Sequence, residues 1–158
     1  MKSIIYVCIL VICISSCKQE NTESKEVATD TETMVVNNES LNGTWELVSY
    51  YNYDDDEVTD TIISNSNNRQ VKMYINNKVM WSRLVPRDST EFFGYGTYEI
   101  TDSTLTETLE YGSASMLKII DTMRVFSFEL IMKPNSFSQI QIGPEGNRVF
   151  SENYVRKQ

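Results

Sequence analysis

After residue 41 the chain consists of short runs in which apolar and polar residues alternate, separated by Gly, Pro, Asn or Asp. Such runs are typical of half-buried β-strands. The pattern predicts eight strands, over residues 43–53, 69–75, 78–85, 91–100, 104–111, 123–132, 136–142 and 148–156. Asn76-Asn77 fits a two-residue hairpin turn between two of them. We therefore expect an all-β domain, an antiparallel up-and-down β-barrel of about eight strands.

Three stretches leave alternatives open. The polar connection 54–68 contains a short apolar piece, 58–63, that would make a further strand. Residues 112–121 carry four apolar side chains at roughly helical spacing, which fits either a short helix at one barrel end or a packed loop. The acidic run 54–57 offers carboxylates for calcium, but it lacks the spaced ligands and the glycine of an EF-hand loop. A solvated hairpin tip is therefore the favoured interpretation of that run.

The first seventeen residues have the layout of a secretory signal peptide: Lys2, an apolar run over 4–14, and then small residues. The run is roughly 11 residues long, whereas a bilayer-spanning helix needs about 20. The sequence Ile14-Ser15-Ser16-Cys17 resembles the lipobox of bacterial lipoproteins, in which the peptide is cut before a cysteine that carries diacylglycerol and an acyl chain such as palmitate. The resemblance implies a signal peptide over 1–16 and lipidation at Cys17.

Residues 17–40 predict a disordered tether behind the lipidated cysteine. The segment is rich in Glu, Thr, Ser and Asn and contains no aromatic residue, so it has too little apolar surface to offset its conformational entropy. Lys18 stands where an aspartate would favour inner-membrane retention in enteric bacteria. We therefore expect an outer-membrane lipoprotein, with the membrane as a partner through the lipid. Whether it faces the periplasm or the outside stays open.

The amino-acid composition limits the kinds of catalytic and binding site that this chain can form. The chain has 158 residues, a formal net charge of −8, three cysteines and no histidine. The absent histidine excludes Ser-His-Asp and Cys-His nucleophile pairs, His-ligated metals and imidazole acid–base catalysis. The acidic balance argues against nucleic-acid binding. Cys8 and Cys13 lie in the predicted signal peptide, so the mature chain has no disulfide. We expect no catalytic residue, no metal site and no cofactor.

The start of the first strand carries a family resemblance. Gly43-Thr44-Trp45 opens an eight-stranded β-domain, and this G-x-W setting resembles the signature of the lipocalins, members of the calycin group. The resemblance implies that Trp45 closes the barrel floor and that Arg156, on the last strand, packs across its indole. Residues 41–158 as a whole are similar to the lipocalin-like domains of uncharacterised lipoproteins from Gram-negative bacteria. Such domains have no settled activity.

Several polar or aromatic side chains fall on strand faces that would look into the barrel by the two-residue period. The candidates are Trp81, Arg83, Glu107, Glu152, Tyr154 and Arg156. Together they would form a polar floor for a carboxylate or another small polar head group, with aromatic rings around its tail. The structural alternative is that buried charges pair with each other, as Arg83–Glu107 or Arg156–Glu152, and fix the strand register.

Two functions are consistent with these features. The first is a non-enzymatic, lipid-anchored barrel that binds a small amphipathic or hydrophobic molecule in the cell envelope, and it predicts an internal cavity of several hundred cubic ångströms. The alternative is a structural or protein-interaction envelope lipoprotein, which predicts a filled barrel and an exposed patch involving Tyr50, Tyr51 and Tyr53. An enzyme would need an open pocket holding two carboxylates with separated pKa values. No feature of the sequence predicts the oligomeric state.

Overall fold

The computed structural model of the chain describes residues 36–85, 92–101 and 103–157. The predicted signal peptide, Cys17 and the tether up to residue 35 lie outside the described residues, as do Glu91 and Asp102. In chain order the elements are α1 (Asn38–Leu41), β1 (Gly43–Asp54), β2 (Glu57–Ile63), β3 (Gln70–Ile75), β4 (Lys78–Arg83), β5 (Phe92–Thr101), β6 (Thr104–Gly112), α2 (Ala114–Ile120), β7 (Val125–Lys133), β8 (Ser136–Ile142) and β9 (Arg148–Lys157).

Eight strands, β1 and β3 to β9, form a closed antiparallel ring. Each strand from β3 to β8 pairs with the next along the chain, and β9 pairs back onto β1. The first half of β1 borders β3, whereas its second half borders β2, which is an additional strand attached to β1. The predicted all-β, up-and-down barrel is therefore confirmed, and the apolar piece at 58–63 is the extra strand β2.

The predicted turns and the helical stretch follow local backbone chemistry. Asn76 and Asn77 have φ values of 50° and 61°, as a type I′ hairpin turn requires, so the predicted two-residue turn is confirmed. The acidic run 54–57 is a hairpin tip, because Asp55 and Asp56 adopt the same left-handed conformation between β1 and β2. Residues 114–120 form the helix α2, which is capped by Ser113.

The folded domain begins before residue 41. Residues 36–40, which the sequence assigns to the tether, include helix α1 and a partly buried Val36 that packs against the core. The side chain of Asn38 accepts a hydrogen bond from the Ile100 amide at 2.7 Å, and its carbonyl accepts one from the Tyr98 hydroxyl at 2.6 Å. Asparagine hydrogen bonds thus attach a segment whose composition offers little apolar surface.

The main core is aromatic and lies at the end of the barrel where β1 begins. Phe137 is its centre: Trp45 meets it edge-on at a centroid distance of 4.9 Å, and Tyr154 stacks on it at 4.7 Å. In a smaller apolar cluster, Met116 and Ile120 of α2 pack with Leu109 of β6. Within the residues described, neither helix is long and apolar enough to cross a membrane.

Candidate functional site

One end of the barrel is closed by an indole and a guanidinium. Trp45, on β1, is fully buried, and its Nε1 donates to the Leu41 carbonyl at 2.7 Å. The guanidinium carbon of Arg156, on β9, lies 4.0 Å from the centroid of a Trp45 ring, which is close cation–π geometry. Arg156 also donates to the carbonyls of Ser40 and Asn42, so it joins the last strand to the start of the domain.

Gly43 has a steric reason to be glycine at this end. Its φ is +131°, a value that L-residues rarely adopt, and a Cβ added there would lie 2.7 Å from Nη1 of Arg156. The structure therefore places Gly43, Trp45 and Arg156 together, in the arrangement that the lipocalin resemblance implies.

A cavity of about 230 Å³ occupies the interior toward the other end. Its walls come mainly from the strand ends opposite the Trp45 end: the first residues of β3, β5, β7 and β9, the last residues of β4 and the second half of β6. Strand β8 and helix α2 each add one residue. Part of the lining is aromatic or aliphatic, namely Trp81, Phe92, Leu109, Met116, Phe126, Phe128 and Phe150. The rest is polar, namely Gln70, Lys72, Arg83, Glu107, Gln139 and Glu152.

A buried ion pair forms one half of the polar lining. Lys72 Nζ lies 2.9 and 3.2 Å from the two carboxylate oxygens of Glu107 and 2.7 Å from Oε1 of Gln139. The Tyr74 hydroxyl donates to the same carboxylate. Both charged side chains are 3–4% exposed. The charges thus have partners on β3, β6 and β8, as a buried ion pair needs.

Glu152 forms the other half, with neutral partners. Its Oε2 accepts from the Tyr154 hydroxyl at 2.6 Å and from the Gln139 amide at 2.9 Å. The Gln70 amide lies 3.2–3.3 Å from both carboxylate oxygens and 2.6 Å from the Tyr154 oxygen. Gln139 thus links the two halves into one network that spans four strands.

The phenols in this network are held neutral. Burial raises the pKa of Tyr74 and that of Tyr154 well above 10, and the carboxylates of Glu107 and Glu152 add to both shifts. Tyr50 is half-buried. Its pKa is raised to about 12, mainly by burial and secondly by the negative charge of Glu152. These hydroxyls therefore act as hydrogen-bond donors at neutral pH.

Arg83 marks the opening of the cavity. It is exposed although it lines the cavity, and its guanidinium carbon lies 5.4 Å from the Tyr50 ring centroid. Trp81, two residues earlier, leans on Gly94 of β5, where an added Cβ would come within 2.9 Å of the indole. Glycine at this position therefore provides the space that the indole needs at the cavity wall.

The two ion pairs that the sequence suggests do not form. Glu107 pairs with Lys72 rather than with Arg83, and Glu152 is bound by amides and a phenol rather than by Arg156. The reason is position along the barrel: Arg83 lies at the open end, whereas Arg156 lies at the closed end against Trp45. Of the candidates, Trp81, Arg83, Glu107 and Glu152 line the cavity, and Tyr154 is buried beside it.

Sequence reasoning missed four residues of the network, Gln70, Lys72, Tyr74 and Gln139. Three of them alternate along β3 and are buried, whereas Met73 and Ile75 on the same strand are exposed. The alternation along β3 predicts that every second side chain lies on the same face of the sheet. Hydrophobicity alone would place the face with Val71, Met73 and Ile75 inside, whereas the structure buries the opposite face. Across the described residues, no group of three or more Cys, Asp or Glu side chains could hold a metal ion.

Comparison with known proteins shows the fold. A lipocalin-like protein from Bacteroides uniformis superposes with a TM-score of 0.51 at 15% sequence identity, covering 75% of this chain and 99% of that one. An uncharacterized protein from Bacteroides eggerthii gives a TM-score of 0.48 at 14% identity, covering 74% and 99%. No protein-family model and no curated protein matches the sequence. The barrel is thus lipocalin-like in fold.

Proposed function

We propose that this protein is a lipid-anchored, non-enzymatic lipocalin-like protein that binds a small amphipathic or hydrophobic molecule in the cell envelope. One observation carries the binding part of the proposal: the barrel is filled by aromatic side chains at one end, yet it keeps a cavity of about 230 Å³ that is partly walled by aromatic rings and is lined by the exposed Arg83. For comparison, a cavity of about 150 Å³ is enough to bind benzene.

The lining suits a molecule with one apolar and one polar part. Phe92, Phe126 and Phe150 line the cavity and are half-buried. Their rings would pack against the apolar part of the ligand. The network around Glu107 and Glu152 lies below, and each carboxylate there already accepts hydrogen bonds from protein groups. Such prearranged polar groups orient a ligand at little cost in ordering entropy. We assign them to binding and assign no catalytic residue.

The binding role is tested by native mass spectrometry of the full chain purified from its own host. We expect a co-purifying small molecule on the wild-type protein. Met116→Trp, which would fill the cavity from α2, should lose it, whereas Met80→Trp on the outer face should keep it. If the molecule is absent from wild type in repeated preparations, or is retained equally by both variants, the cavity is not its binding site.

The lipid anchor is tested separately. We expect radiolabelled palmitate on the wild-type chain and none on Cys17→Ala, because the lipobox resemblance assigns the acylated thiol to this position. Cys13→Ala, within the predicted signal peptide, is the matched control and should be labelled like wild type. The labelled protein should fractionate with outer membranes. Labelling that survives Cys17→Ala would refute this anchor.

A second candidate, protein interaction through the barrel surface, is favoured by one observation. Met73, Ile75, Met80 and Phe93 are each 36–63% exposed on the outer face of β3, β4 and β5, and three of them border a shallow apolar groove. The tyrosines expected in an exposed patch, Tyr50, Tyr51 and Tyr53, are each half-buried rather than exposed. The cavity also differs from the filled interior that this alternative predicts.

The surface role is tested by placing a photo-activatable cross-linking residue at position 73 in intact cells. If the surface role holds, this residue should form cross-links to a partner protein, and Met80→Lys should abolish them.

A further inference from the structure

The deep part of the cavity carries one negative charge more than its positive charges balance. Lys72 neutralises Glu107, since its Nζ lies within 3.2 Å of both carboxylate oxygens. Glu152 forms no ion pair with any residue in the described part of the chain, and its hydrogen-bond donors, two amides and a phenol, are neutral. Below the cavity mouth, two carboxylates therefore face a single ammonium group.

One oxygen of Glu152 retains capacity for another donor. Its Oε2 accepts two short hydrogen bonds, at 2.6 and 2.9 Å, whereas the contact to Oε1 is the 3.3 Å approach of the Gln70 amide. A carboxylate oxygen accepts two hydrogen bonds readily. Glu152 lines the cavity and is half-buried rather than buried, so a molecule inside the cavity can reach it.

The walls around this carboxylate attract cations as well as apolar groups. Trp81 and four phenylalanines line the same space. An aromatic ring face binds a positively charged nitrogen through its quadrupole, and the attraction grows when water is excluded. The cation at the mouth, Arg83, is exposed and lies over Tyr50, so solvent screens its charge from the carboxylate below.

We propose that the ligand is a small aromatic or aliphatic amine, whose ammonium group binds Oε1 of Glu152 while its apolar body packs against Trp81, Phe126 and Phe150. This inference rests on the proposed binding function and adds the charge and the orientation of the ligand. The volume of about 230 Å³ limits the body to roughly one ring with a short chain.

The test compares three probes of one shape with the full chain at pH 7: 2-phenylethylammonium, neutral 2-phenylethanol and anionic 3-phenylpropanoate. Affinities come from calorimetry, and the site comes from amide shifts in two-dimensional NMR. We expect the ammonium to bind at least about tenfold more tightly than the alcohol, as a charge-assisted hydrogen bond provides. The carboxylate should bind most weakly. Shifts should centre on Trp81, Phe126 and Glu152.

Two variants separate Glu152 from overall charge. Glu152→Gln should reduce the affinity for the ammonium to that for the alcohol, with the alcohol itself changed less than about twofold, because the amide keeps the size of the side chain but loses the negative charge. Glu110→Gln removes the same charge from the outer face, where Glu110 pairs with Lys78, and should leave all three affinities unchanged. The wild-type series alone still tests the proposal if Glu152→Gln fails to fold.

The failures of the two proposals are distinguishable. Equal binding of the alcohol and the ammonium, or tightest binding of the carboxylate, overturns the amine proposal while the binding function stands. Binding of none of the probes at millimolar concentration also overturns it. The binding function itself fails only if the host-purified protein carries no molecule that Met116→Trp displaces.

Discussion

Trp45 and Trp81 show how differently the two ends of this barrel use the same side chain. Trp45 is fully buried, meets Phe137 edge-on and carries Arg156 on its ring face. Trp81 is half-buried, with Gly94 on one side and the cavity on the other. The first indole fills space between strands, whereas the second borders space that is left open. The densely packed core and the cavity to which we assign binding thus lie at opposite ends of one sheet.

The end of the barrel with the cavity lacks side-chain packing that the Trp45 end has. A void forfeits the dispersion contacts that filling atoms would make, so a cavity costs stability. Here the cost is limited because the polar groups beneath the cavity bond each other: no buried side-chain nitrogen or oxygen in the described ranges lacks a hydrogen-bond partner. A structural division of this kind is expected where a ligand replaces the missing contacts.

Truncating the two indoles tests this division most strongly. Trp45→Ala should lower the free energy of unfolding by roughly 3–5 kcal/mol, as is typical for a large buried aromatic side chain. Trp81→Ala should cost about 1–2 kcal/mol, because its partly exposed ring has fewer contacts to lose. Urea denaturation followed by circular dichroism measures both. Equal losses would show that the two ends are packed alike.

Breaking the buried ion pair should have the next largest effect. Lys72→Met leaves the Glu107 carboxylate buried without its counter-charge, and the expected loss is about 3 kcal/mol. The double variant Lys72→Met/Glu107→Leu should recover much of the loss, since no uncompensated charge remains. Lys78→Met removes a lysine from an exposed pair and should barely move the urea midpoint. A single Lys72→Met variant as stable as wild type would contradict the pairing.

The fold could be predicted from sequence because strand patterns and turn residues are local. The Asn76-Asn77 turn is one example: two residues that tolerate positive φ stand between two alternating runs. The helix α2 is only one of two predicted options, because the four large apolar side chains within residues 112–121 fit a helix and a packed loop equally well.

The site was predicted only in part because its pairings are long-range. The two-residue period predicts both carboxylates, since it places Glu107 between two leucines on β6 and Glu152 between Phe150 and Tyr154 on β9. Lys72 was not predicted, since a lysine beside Val71 and Met73 is normally the solvent-facing residue. It faces inward because a carboxylate 35 positions later lies across the barrel. No local pattern contains that information.

Alkaline pH offers a graded test of the buried phenols. Tyr74 and Tyr154 have pKa values raised above 10 by burial and by neighbouring carboxylates. The unfolded chain ionises them near pH 10, so their contribution is complete below that pH and is lost above it, by about 1.4 kcal/mol per pH unit for each tyrosine. Absorbance at 295 nm should show them ionising only as the protein unfolds. Tyr154→Phe should reduce the absorbance change that accompanies unfolding. Ionisation of Tyr74 and Tyr154 before unfolding would contradict their burial.

The outer surface of the closed end should contribute least. Glu46 on β1 has a pKa below 4.5 because Lys157 Nζ lies 2.7 Å away and Arg69 donates to its other oxygen. Its contribution is present above about pH 4.5 and is lost as pH falls through the lowered folded pKa. Both cations are more than half exposed, so solvent screening keeps the loss for Glu46→Gln below about 1 kcal/mol, and 1 M salt should erase it. A larger loss of unfolding free energy that salt does not reduce would mean that surface ion pairs stabilise this end as well as the packing of Trp45. A small loss would mean that the stability of this end comes from its aromatic interior.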